Sequence, residues 1–255
     1  GKTYARSFLA SRFIHASDLY ILERSAGSVA DIKEIPQGNI HPQAGEFISQ
    51  ADIVILAVKP QDFTSLGKQI APYIQREQLV LSIMAGIKIF SIYETIGSPK
   101  IVRAMPNLPS QIGMGMTVFT SSADIDKKEL FIMQNLINTT GKSVYVEDEN
   151  KIDAATAISG SGPAYVYYFM DAMIQAGVNM GFSLSQAELL VNQTFMGAVH
   201  LHNQSDLTCN EWIQRVASKG GTTEAALKVL AENHVEPDIE AALFAALNRA
   251  KELGS

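Results

Sequence analysis

The chain has 255 residues, of which 47% are hydrophobic, and a formal charge of −6. That is enough for one large domain or two ordinary ones with a sizeable core, and the acidic balance without a long basic run argues against a nucleic-acid partner. A single cysteine, Cys209, excludes an internal disulfide, makes a structural zinc site a poor reading, and fits a reducing, cytoplasmic setting. In chain order, residues 2–13 read as a helix and Leu19–Leu22 as a short strand. Residues 43–50 read as helical again. Ala51–Val58 is a nearly continuous apolar run, the pattern of a parallel strand buried on both faces. Leu79–Ile83 and Lys100–Ala104 repeat it, with a helical segment between them. Met116–Phe119 and Ser143–Val146 read as later strands flanking a helix at 124–138. Alternating strands and helices with buried strands predict an α/β fold built on a Rossmann-like, doubly wound parallel sheet.

The strand signal stops after residue 150. Segments 151–158, 163–180, 184–203, 209–217, 222–233 and 236–252 all read as helices. The charged, turn-prone stretch Glu147–Asn150 marks the expected boundary. It divides a dinucleotide-binding domain, 1–148, from an all-helical domain, 149–255. The most apolar stretch, Ala164–Met173, is interrupted by Asp171 and is too short to span a bilayer, so no membrane partner is expected. Of the five histidines, only His200 and His202 are close in sequence. Two residues apart on a helix they do not share a face, and no metal site is expected.

A doubly wound nucleotide domain opens with a strand, a glycine-rich turn and a helix. This chain opens on Gly1 and runs directly into a helical pattern. If Gly1 is the last glycine of such a turn, Glu23 lies 22 residues on, near the roughly 20-residue spacing of the group that reads the adenine ribose. The reading implies that the first strand and most of the glycine-rich loop are absent from this stretch of chain.

The helix from Pro163 to Met180 carries Tyr165, Val166, Tyr167, Tyr168, Phe169, Met170, Met173 and Ile174. It is apolar almost all round, as buried helices are. In a small helical domain, burial against a second copy of the chain is the economical solution. Further on, Gly220-Gly221 is followed by Thr222-Thr223, with a helical pattern expected from Glu224. Glycines permit a sharp turn and close approach of a ligand. The first helical turn offers free N–H groups and the positive end of the dipole. Together they make a seat for a small carboxylate or phosphate, to which the threonine hydroxyls add donors and acceptors.

These segments resemble the 1-pyrroline-5-carboxylate reductase family. Ala57-Val58-Lys59-Pro60 is similar to the family's AVKP turn, and Ser82–Gly86 to its S-x-x-A-G segment. Arg103–Asn107 resembles R-x-M-P-N, Ser159–Tyr165 the SGSGPAY run, and Ser218–Thr223 the S-x-G-G-T-T signature. The resemblance implies a Rossmann domain followed by a helical dimerisation domain, with dimers able to build larger rings. It implies reduction of 1-pyrroline-5-carboxylate to L-proline by NADPH, with NADH possible. Gly1, Glu23, Arg24, Ser25, Ala57, Val58, Lys59, Pro60, Ile83, Met84 and Ala85 would line the cofactor. Ser218, Gly220, Gly221, Thr222 and Thr223 would hold the substrate, with the Thr223 hydroxyl on the ring nitrogen as the catalytic contact.

The chain departs from the common pattern at Lys219, where many members have proline, at Leu108, where threonine is usual, and at Ala44, where an asparagine often reaches the ribose. The Arg24/Ser25 pair favours a 2′-phosphate, whereas Glu23 would accept from free ribose hydroxyls. Two other readings stand beside this one. A β-hydroxy-acid dehydrogenase would need a lysine acid, for which Lys151 is the candidate. A non-catalytic homologue would bind nucleotide without turnover.

Overall fold

The computed structural model describes residues 1–23 and 32–254. They divide into two compact units, Gly1–Pro163 with Ala246–Ser255, and Ala164–Ala245.

In the first unit, helix α1 (Lys2–Ala10) leads to strand β1 (Ile21–Leu22), which pairs in parallel with β2 (Ile40–His41). A five-stranded sheet follows in the order β3 (Ile53–Leu56), β4 (Leu79–Ser82), β5 (Ile101–Met105), β6 (Gly115–Ser121) and β7 (Gly141–Tyr145). Helices α2 (Pro60–Ile70), α3 (Ile89–Ile96) and α4 (Lys127–Asn138) connect the strands. The two-residue period of a strand sends neighbouring side chains to opposite faces. Leu81 and Val102 accordingly pack with Tyr4 and Phe8 of α1 and Met133, Leu136 and Ile137 of α4. Val80 and Ile101 pack with Phe63 and Ile70 of α2 and Ile92 and Ile96 of α3. Both faces of β4 and β5 are covered, and this is why those strands are mostly apolar.

The sheet is parallel except where β6 runs antiparallel to β5, after which β7 is parallel to β6. The physical reason is the connection. Residues 106–114 form only a short 3₁₀ turn, Leu108–Ile112, too little chain for a parallel crossover. Three further features differ from the expectations. Helix α2 and strand β2 were not anticipated, and the helix expected at 43–50 is a single 3₁₀ turn, Glu46–Ile48. The outer edges of β1 and β3 line a cavity of about 750 Å3 with an apolar wall that includes Tyr4, Phe8, Ile21, Leu22, Ile53 and Ile55.

Helix α5 (Asn150–Ala155) runs into a π-turn, Thr156–Gly160, and then into α6 (Gly162–Asn179), along which the second unit begins. That unit adds α7 (Leu184–Asn203), α8 (Cys209–Val216), α9 (Thr222–Glu232) and α10 (Val235–Leu253), whose last turns belong to the first unit. Side chains close the starts of α7 and α8: Ser183 with Gln186, and Thr208 with Glu211, form reciprocal capping boxes. Within the single chain α6 has no buried residue. Tyr167, Tyr168, Phe169 and Met173 are exposed, so the burial expected of this helix is not met by its own chain. Among the described residues, no helix is long and apolar enough to cross a membrane.

Candidate functional site

Two sets of site residues take shape, one in each unit. In the first, the carboxyl ends of β3, β4 and β5 lie side by side. Ala57–Pro60 follow β3. Lys59 is the N-cap of α2, with Pro60 in the first turn, where its missing N–H costs nothing. The Lys59 side chain is exposed. Ile83, Met84 and Ala85 follow β4, and the Ile83 N–H donates to the Leu56 carbonyl at 3.0 Å, holding the two loops together. Met84 is 2% exposed and sits in the apolar core, so it can meet a ligand only through its backbone. Gly1, the N-cap of α1, lies against the end of β3: a Cβ placed on it would be 3.3 Å from the Ala57 Cβ. The start of α1 and its free N–H groups therefore stand at the β3 edge. Glu23 follows β1, its N–H donating to the His41 carbonyl at 2.9 Å. Arg24 and Ser25 lie outside the described residues.

The β5 end is anchored by polar groups that the sequence reading did not single out. Arg103 is 1% exposed, yet it stands in mid-strand. Its guanidinium donates to Glu149 at 3.0 Å and to Asp153 at 2.9 Å. Glu149 also accepts from the Ile89 N–H at 2.9 Å. Charges of both signs are thereby paired where desolvation would otherwise be costly. Two residues beyond the strand, Asn107 donates to the Ser159 carbonyl at 3.2 Å and accepts from the Met116 N–H at 2.9 Å. A Cβ on Gly160 would lie 3.0 Å from the Met105 Cε. The R-x-M-P-N segment thus meets Ser159 and Gly160. The signal that could have found this clamp is the arginine itself, since a charge inside an apolar strand requires a partner.

In the second unit, residues 218–224 form a tight loop. Gly220 has φ +73°, the left-handed region that glycine enters without strain. The Gly221 N–H donates to the Ser218 carbonyl at 2.9 Å. A Cβ on Gly221 would lie 2.6 Å from the Ser218 Oγ and 3.0 Å from its carbonyl oxygen. Each glycine of the pair therefore has its own reason. Gly221 is the N-cap of α9, which begins at Thr222 rather than at Glu224. Thr222 and Thr223 occupy the first turn, where amides have no intrahelical acceptor; Thr222 is exposed and Thr223 half-buried. The Gly220 N–H is engaged by the Glu224 carboxylate at 2.6 Å. Of the amides expected to form an anion seat, Gly221 is thus committed to the turn and Gly220 to a side chain, while Thr222 stands in the first turn beside Thr223. Lys151 is exposed on the first turn of α5, its N–H donating to the Asp148 carbonyl at 3.0 Å.

Residues 149–253 match a family model described as pyrroline-5-carboxylate reductase dimerisation, and residues 1–86 one described as NADP oxidoreductase, coenzyme F420-dependent. A pyrroline-5-carboxylate reductase of Pseudomonas aeruginosa is 39% identical over 209 residues, 82% of this chain and 77% of that protein. The chain belongs to the pyrroline-5-carboxylate reductase family. A member from Staphylococcus saprophyticus is 32% identical over 96% of this chain and 91% of its own length. Among solved structures, a pyrroline carboxylate reductase from Plasmodium falciparum with NADP bound superposes with a TM-score of 0.87 at 30% identity, covering 100% of this chain and 95% of that one. The Coxiella burnetii reductase gives 0.87 at 31% identity, with 100% and 94% coverage. Membership accounts for the Rossmann-like unit and for the helical dimerisation domain that follows it.

Proposed function

We propose that this protein reduces 1-pyrroline-5-carboxylate to L-proline, using NADPH with NADH as the alternative donor. The observation that carries the reading is the Ser218–Glu224 loop. A left-handed glycine, a second glycine pressed on Ser218 and two threonines open an 11-residue helix, and that arrangement suits a small carboxylate.

The residues of the first unit fit a dinucleotide. A side chain at Gly1 would press on Ala57 at the α1 start, and the Met84 side chain is buried in the core, leaving backbone toward the edge. Such an edge accepts a ligand through amides. Gly1, Ala57, Val58, Lys59, Pro60, Ile83, Met84 and Ala85 would hold the cofactor, with Glu23, Arg24 and Ser25 at its ribose end. When bound, a reduced nicotinamide supplies a hydride.

The second unit's residues do the orienting. The Gly220 amide and the first-turn amides of α9 bind the substrate carboxylate, and Ser218 supports the turn that presents them. The Thr223 hydroxyl, half-buried in the first turn, hydrogen-bonds the ring nitrogen and keeps the cyclic imine from rotating on its carboxylate. A protonated imine accepts hydride readily, so positioning rather than a strong acid carries the reaction. The protein acts as a homodimer through the apolar face of α6, with rings of dimers open to it. A single exposed cysteine suits the cytoplasm.

The test is nicotinamide oxidation with 1-pyrroline-5-carboxylate, run in parallel with NADPH and NADH. Turnover establishes the reaction and ranks the donors. Folded, dimeric protein without turnover would instead favour the non-catalytic reading.

A further inference from the structure

The Glu224 carboxylate accepts from the Gly220 N–H at 2.6 Å, within the loop assigned above to the substrate carboxylate. This is not the only partner open to that side chain. Lys228 lies four residues on, the favoured spacing for a helical ion pair with glutamate first. Lys228 is instead 3.8 Å from Glu232, and Glu224 folds back toward the loop.

Nor is the contact an ordinary reciprocal cap. At α8, Thr208 and Glu211 hold each other: the Thr208 N–H donates to Glu211 at 2.7 Å, and the Glu211 N–H donates to the Thr208 Oγ1 at 3.3 Å. At α9 the N-cap is Gly221, with no side chain to return a bond, and Glu224 reaches past it to Gly220. Glu224 is exposed, so water can replace the amide as its partner at little cost.

We propose that Glu224 is an internal, displaceable anion on the substrate seat, and that it sets how tightly the seat takes a carboxylate. The inference rests on the reading of the Ser218–Glu224 loop as that seat. An incoming carboxylate must take the Gly220 amide from Glu224 and then share the loop with a like charge. At about 4 Å two like charges in water repel by an amount comparable to one weak hydrogen bond. Affinity is thereby lowered, and ligands with a carboxylate are affected while neutral ones are not.

Glu224→Gln keeps an acceptor for Gly220 but removes the charge; Glu224→Ala removes both. The experiment measures KM and kcat for 1-pyrroline-5-carboxylate, inhibition by L-proline, and KM for the cyclic imine 1-pyrroline, which has no carboxylate. Expected is a roughly threefold to tenfold fall in KM for the carboxylated imine and in the proline inhibition constant for Glu224→Ala. A smaller fall is expected for Glu224→Gln, with kcat moving less than KM and the 1-pyrroline KM unchanged. Titrating proline into the wild-type protein should shift the Gly220 amide resonance, and the circular dichroism of both variants reports that α9 is intact. If both variants fold and leave the carboxylate-dependent constants within twofold, Glu224 is only a helix cap and the proposal falls. If KM for 1-pyrroline falls equally, charge competition is not the mechanism, and the proposal falls again. If the wild type shows no preference for the carboxylated imine, the reading of the loop as the seat fails first and takes this inference with it.

Discussion

Two carboxylate clusters show how burial decides what a carboxylate does. Asp153 is 4% exposed at its side chain and is bound by Arg103, itself 1% exposed. Glu149, 29% exposed, takes the other guanidinium nitrogen. Asp153 and the guanidinium have no water to return to, so they stay paired and fasten α5 to the sheet. Glu224 makes a contact no longer than these, but to a single amide in solvent, where releasing it costs little. Similar distances therefore mean a fixed clamp in one place and an exchangeable ligand in the other. Bond length alone does not separate them; the alternative open to each partner does.

The largest expected effect breaks the clamp. Arg103→Met leaves Asp153 buried without a counter-charge and should cost about 3–5 kcal/mol of stability, the range for one partner lost from a buried pair. Asp153→Ala should cost less, since Glu149 still meets the guanidinium. A double variant, Arg103→Met with Asp153→Leu, should recover part of the loss, because the one carboxylate it leaves without the guanidinium, Glu149, keeps the Ile89 N–H and access to water. Urea unfolding of the three proteins checks the order. A double variant no better than Arg103→Met would mean that the pair contributes through packing rather than charge.

The loop can be broken in a way the clamp cannot. Gly220→Ala places a side chain at φ +73° and should lower stability by about 1–2 kcal/mol, while raising KM by moving the amide. Gly97→Ala is the matched control. Gly97 has φ +74°, ends α3, and has open space where its Cβ would be. It should cost similar stability and leave KM alone. Equal KM values in the two variants would remove Gly220 from the seat. Thr223→Ala should lower turnover by about fivefold, corresponding to about 1 kcal/mol for one hydrogen bond, with the melting temperature nearly unchanged. Thr223→Ser should restore most of it.

The two clusters also differ in how legible they were. The glycine pair and the threonines announce themselves, because few residues tolerate such a turn and their types carry the chemistry. The direction of the Glu224 side chain does not, since a glutamate in a first turn reads as helix start whichever amide it takes. Arg103 was legible as part of a strand and as the head of the R-x-M-P-N segment, whereas its need for partners 46 and 50 residues away is a tertiary fact. The buried strands β3, β4 and β5 were readable from continuous apolar runs. The reversal at β6 was not, because alternation carries no strand direction. Helix α2 left a readable trace, Phe63, Leu66 and Ile70 on one face, but followed Pro60 so closely that the turn masked it. Strand β2 is two residues long, below what periodicity can detect.

The smallest expected effect concerns a third carboxylate, and it separates capping from competition. Glu211 is the reciprocal counterpart of Glu224, fully exposed but bound to the Thr208 N–H and hydroxyl. The backbone hydrogen bond from Thr208, and then its hydroxyl, hold the Glu211 carboxyl below the usual glutamate value. A group depressed in the folded state contributes fully above its unfolded pKa and loses that contribution as pH falls through its folded pKa. The start of α8 should therefore be held firmly at neutral pH and loosen only below the ordinary carboxylate range. Amide hydrogen-exchange protection at the first turn of α8, taken relative to the unfolded chain and compared between neutral solution and solution below the ordinary carboxylate range, reads this. Thr208→Ala should lower protection at neutral pH to the level the wild type reaches in acid, and should leave KM for the carboxylated imine untouched. Glu224→Ala is expected to do the reverse, moving KM while α9 keeps its helicity. If Thr208→Ala changed KM as Glu224→Ala does, the effect at α9 would be general helix loosening, and the distinction between a cap and a competing ligand would be lost.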